Sequence, residues 1–112
     1  MSLFVATHHH PAEACPTSAS PAFDVLSHVS AATAAGYGVT ILAEAVLDGE
    51  HGLILILQAG HQEQVDRFMA FFTRFGSVLV RPAWSSEATI ARGGCTGQRV
   101  RKQTGEAGLR IG

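Results

Sequence analysis

Residues 52–59 read GLILILQA, with five large aliphatic side chains in succession from Leu53 to Leu57. In an extended chain these alternate, so Leu53, Leu55 and Leu57 face one side while Ile54 and Ile56 face the other. A strand on the surface of a sheet needs one apolar face; this one has two, which places it in the interior of a sheet covered on both sides. The run is far shorter than the roughly 18 apolar residues of a membrane-spanning helix, so no membrane partner is expected.

The elements around this strand follow from local signals. Leu3 to Thr7 is a first strand that ends at His8. After a loop with Pro11, Pro16 and Ser18, Ser20 is positioned to cap a helix with Pro21 in its first turn and Asp24 near its positive end. That helix is expected to run to Gly36 on a stripe of Ala22, Val25, Leu26, Val29, Ala32 and Thr33. Val39 to Leu47 is a second strand, Asp48-Gly49 a two-residue hairpin turn, and His51 or Gly52 to Ala59 the return strand. Gln62 to Arg74 carries Val65, Phe68, Met69 and Phe72 at amphipathic helical spacing, with Glu63 four residues before Arg67. Gly76 stops it. Ser77 to Arg81 is a fourth strand ended by Pro82, and Ser85-Ser86-Glu87 starts a short helix before Gly93-Gly94.

This is an α+β chain of order βαββαβ, the ferredoxin-like split βαβ arrangement. Right-handed crossovers predict a four-stranded antiparallel sheet in the order 4-1-3-2 with both helices on one face. The second face of strands one and three then lacks a cover, and a homodimer closing two sheets into a barrel supplies one. A composition of 46% apolar and only 15% charged residues over 112 positions agrees with a surface partly given to another subunit.

Charge divides the chain in two. Residues 1–91 hold Arg67, Arg74 and Arg81 against eight carboxylates, or −5; residues 92–112 hold Arg92, Arg99, Arg101, Lys102 and Arg110 against Glu106, or +4. The expectation is a folded domain over 1–91 and a flexible, basic, Gly/Arg-rich tail over 92–112. The tail lacks interleaved aromatics, so nucleic acid is not expected as a partner. Two cysteines, Cys15 and Cys95, are too few for a disulfide framework, and the N-terminus lacks the pattern of a secretory signal; both point to the cytoplasm.

Over residues 2–91 the element order and the two-faced apolar sheet resemble the dimeric α+β barrel superfamily. Thr7-His8-His9-His10 with Cys15-Pro16, the turn before His51, and Val80-Arg81-Pro82 are similar to a group of short bacterial proteins of that superfamily. The resemblance implies a range of activities, among them cofactor-free monooxygenases, haem-degrading enzymes, isomerases, dehydratases and small ligand or metal binders. It selects none of them.

The candidate chemistry sits at strand ends. The ends of strands one and three are expected side by side with the starts of strands two and four, gathering His8, His9, His10, Cys15, Tyr37, Gln58, His61 and Ser77 at one rim. His51 is expected at the opposite rim. His8 and His10, two residues apart, point to one side of an extended segment. With Cys15 and His61 they form a candidate metal set, and imidazole with a thiolate suits zinc, nickel or copper. Alternatively His8, Glu44 or His61 serves as acid or base in a metal-free monooxygenase or isomerase acting on a small hydrophobic substrate. Glu44, mid-strand among Ile41, Leu42, Ala43, Ala45 and Val46, is either a carboxylate in an apolar setting or a charge guarding a sheet edge. A non-catalytic interaction module is the third reading. No Gly-rich phosphate loop, serine nucleophile elbow or glycosidase-like carboxylate pair is present.

Overall fold

The computed structural model describes residues 1–15 and 22–95. Its elements are β1 (Ser2–His9), a 3-10 turn (Ala12–Ala14), α1 (Ala22–His28), α2 (Ala31–Gly36), β2 (Val39–Val46), β3 (Gly52–Ala59), α3 (Gln62–Met69) continued by a 3-10 turn (Ala70–Arg74), β4 (Ser77–Ala83) and α4 (Ser86–Ala91). The sheet order is β2-β3-β1-β4 with every pair antiparallel, so the doubly apolar strand is central as expected. Ser20, Pro21 and the tail beyond Cys95 lie outside the described residues.

Alternation sorts the central strands. Phe4, Ala6 and His8 of β1 stand opposite Leu57, Leu55 and Leu53 of β3, and all six are buried beneath Ala34, Val65, Phe68, Met69 and Phe72 of the helical layer. Each large aliphatic or aromatic side chain so buried contributes about 1.5–3 kcal/mol. The other face carries Val5 against Ile56, Thr7 against Ile54 and Thr7 against Leu79. There Ile56 remains 36% exposed and Leu79 49%, although both are aliphatic.

Four local expectations are corrected. The first helix is two: Ser30 breaks it, its Oγ accepting from the Thr33 N–H at 3.2 Å as cap of α2 and donating to the Ser27 carbonyl at 2.8 Å. The second helix tightens into a 3-10 turn at Ala70 rather than running evenly to Arg74. Asp48 and Gly49 are the centre of a turn closed by Glu50 N–H on the Leu47 carbonyl, but the hairpin loop extends to His51, with Leu47 N–H on the Gly52 carbonyl at 3.0 Å. Finally β4 continues through Pro82, which pairs with Phe4; as an edge strand β4 tolerates a residue with no N–H.

His28 joins the helices. Its ring stacks on Phe71 and Phe68 with centroids 4.2 and 4.7 Å away, and Nε2 donates to the Phe68 carbonyl at 2.7 Å. Glu63 and Arg67 form the expected pair at 3.2 Å on the wet face of α3, where exposure leaves it little weight.

Candidate metal centre

In an antiparallel pair the end of one strand faces the start of the other. His9 at the end of β1 therefore pairs with Gly52 at the start of β3 and with Ser77 at the start of β4. This overturns the expected rim. His51, one residue before β3, sits beside His10, whose N–H donates to the His51 carbonyl at 3.1 Å, while the rings approach to 5.2 Å. His61 follows Ala59, the partner of Ser2, and so belongs to the far end of the sheet, roughly 20 Å or more away along the strands. There its N–H donates to Gln64 Oε1 at 2.9 Å at the entry to α3.

Three of the side chains converge. His10, Cys15 and His51 each present one donor atom, and the three atoms lie within 4.8 Å of one another. β1 delivers His10, the 3-10 turn after Pro11 brings Cys15 back, and the extended hairpin loop carries His51. A tetrahedral ion with bonds of about 2.0–2.3 Å needs donors about 3.3–3.8 Å apart, so closing on an ion requires a contraction of about 1.5 Å at most. The exposed His51 on its loop is free to make it. The cluster itself lines a small cavity of about 70 Å³, whose walls also include His8, Val25, Glu50, Leu53 and Phe72.

His8 takes a different place from the one expected of a ligand. It is 1% exposed, its ring is 5.1 Å from Phe72, and both nitrogens are engaged: Nδ1 with the Ser77 carbonyl at 2.9 Å and Nε2 with His10 Nδ1 at 3.1 Å. Burial pulls its pKa below the ordinary histidine value; the Ser77 carbonyl opposes this, and the nearby His10 and His9 reinforce it. Of the two nitrogens of His10, Nε2 is buried and has no hydrogen-bond partner among the described residues. A buried ring nitrogen without a partner is costly unless something fills the position.

Glu44 is exposed on the edge strand β2 opposite Leu55, apart from the histidines. An open groove of about 620 Å³ lies near the start of β1, lined by Leu3, Leu42, Gln58 and Trp84 among others, and neither His8, Glu44 nor His61 borders it. Trp84 carries the Arg92 guanidinium 4.3 Å over its ring, and Tyr37 packs edge-on against His28 and Phe68. No described helix is long and apolar enough to cross a membrane.

Sequence reasoning missed His51. The signal that finds it is connectivity: in βαββαβ order strand three runs against strand one, so residues just before strand three meet those just after strand one. Comparison of the chain with protein-family models, with curated proteins and with solved structures finds no match in any of the three.

Proposed function

We propose that this protein binds a transition-metal dication through His10, Cys15 and His51. The observation that carries the reading is the convergence of these three donors within 4.8 Å, one of them a histidine whose remaining nitrogen is buried and unpartnered among the described residues. Two imidazoles and a thiolate suit zinc, nickel or copper rather than magnesium or calcium. Cys15 must be reduced to ligate, which fits a cytoplasmic setting.

We further read the chain as a ferredoxin-like subunit of a dimeric α+β barrel, because Ile56 and Leu79 leave an apolar sheet face that a second copy would cover. The metal-free monooxygenase or isomerase is the weaker reading, since His8, Glu44 and His61 lie in three separate places and none borders the larger groove. An interaction module resting on the tail concerns residues mostly outside those described.

The test is metal analysis of protein purified without a tag, followed by zinc, nickel and copper titration of the native chain and of the His10→Ala, Cys15→Ser and His51→Ala variants. Stoichiometric binding, lost in each variant, is expected. A native chain that binds none of the three ions, or variants that bind as it does, would remove the reading.

A further inference from the structure

We propose that His8 is a positioning residue for this centre: anchored on the Ser77 carbonyl, its imidazole holds His10 in the tautomer whose Nε2 lone pair faces the ion. The inference rests on the metal reading above but assigns a role to a residue outside the ligand set.

A backbone carbonyl only accepts, so the 2.9 Å contact to Ser77 requires the proton of His8 to be on Nδ1. A neutral imidazole has one N–H, which leaves His8 Nε2 as an acceptor. His10 Nδ1, 3.1 Å away, must then be the donor. In a neutral His10 this leaves no proton on Nε2, the buried nitrogen that lacks a hydrogen-bond partner among the described residues. Each hydrogen bond in the series Ser77, His8, His10 thus determines the next, and the last atom in line carries a buried lone pair directed away from the relay. The orientation is fixed as firmly as the tautomer. His8 sits between the β4 backbone and Phe72, so His10 cannot turn its ring without surrendering its bond to His8 Nε2, which has no second partner among the described residues. The same geometry explains why His8 itself does not ligate: both of its nitrogens are already engaged. Hydrogen-bonded partners of this kind set ligand basicity and ring angle at metal sites, and their removal typically costs about 10–100-fold in affinity.

The experiment pairs two readouts. Long-range proton–nitrogen NMR correlation on the ¹⁵N-labelled, metal-free protein reports which nitrogen of each histidine carries the proton. Cobalt titration, followed by visible absorption, reports affinity and coordination. His8→Phe keeps a ring of similar size without an acceptor; His8→Gln keeps an amide oxygen. In the native chain the His10 proton is expected on Nδ1. His8→Phe is expected to mix the His10 tautomers and weaken cobalt binding about 10–100-fold, and His8→Gln to restore most of it. Cobalt binding by the native chain with the His10 proton on Nε2, or native affinity and spectrum in a folded His8→Phe, would overturn the proposal and leave the metal reading standing. A native chain that binds no cobalt would overturn both. If His8→Phe does not fold, the native tautomer and the affinity of His8→Gln decide the matter, a loss in His8→Gln equal to that of His8→Ala counting against it.

Discussion

The N–H of His10 donates to the carbonyl of His51 at 3.1 Å, so the residue after β1 and the residue before β3 are joined by backbone as well as by adjacent rings. The backbone therefore keeps the two residues adjacent, and on the proposed metal reading only their side chains need ordering when an ion binds. His51→Ala is expected to lower zinc affinity by at least about 100-fold while changing unfolding free energy by less than about 0.5 kcal/mol, because the side chain is exposed. Calorimetric titration alongside urea denaturation checks both values. A large stability loss would show that His51 is structural instead.

Burial lowers the pKa of His8, so the unfolded chain takes up a proton at this residue more readily than the folded one. The sign follows: stability is fully present above the unfolded value of about 6.5 and declines as pH falls through the window from there to the lower folded value. Urea denaturation of the metal-free protein between pH 8 and 5 is expected to show this decline, and His8→Gln a shallower one. Equal slopes would mean that another group governs the acid response.

Gly76 passes under the end of β1. A Cβ there would overlap the His9 carbonyl and sit 2.7 Å from the His10 Cα, both backbone atoms unable to yield cheaply. Gly76→Ala is expected to destabilise by about 2 kcal/mol or more and to weaken metal binding, since it pries β1 from β4 beneath the histidines. Gly36→Ala is the control: nothing lies within 4 Å of its added methyl, and about 0.5–1 kcal/mol of stabilisation is expected. Chemical denaturation of the two variants distinguishes these outcomes by sign.

The open sheet face supplies a test of assembly. Ile56→Lys places a second cation beside Val5 and Ala43, in the same cross-strand row as Arg81, without touching the helical core. Sedimentation is expected to give a dimer for the native chain and a folded monomer for this variant. Leu55→Ala, one residue away but facing the other layer, is expected instead to lose about 2–5 kcal/mol of stability. A native chain that sediments as a monomer at high concentration would refute the barrel.

Much of the scaffold was legible because its signals are local or periodic. The double alternation at Leu53 to Leu57 identified the central strand, and the Val65, Phe68, Met69, Phe72 spacing identified the helix above it. Ser30 was harder to see: its capping role depends on a neighbouring Thr33 N–H, while the surrounding alanines suit an unbroken helix equally well. Of the three side chains that converge, His10 and Cys15 are neighbours in sequence, whereas His51 reaches them through strand pairing, which depends on direction as well as order. The setting of His8 could not be read at all from residue type, because its ring is anchored on a carbonyl 69 positions away.

The register of β1 against β3 has a consequence for folding fidelity. Strand side chains repeat every two residues, so a slip of one position would turn His8 out of the interior and, in the same movement, draw His10 away from His51. On the proposed metal reading, a chain zipped up wrongly would be deficient in ion uptake, and metal loading would serve as a count of the molecules that closed their sheet correctly.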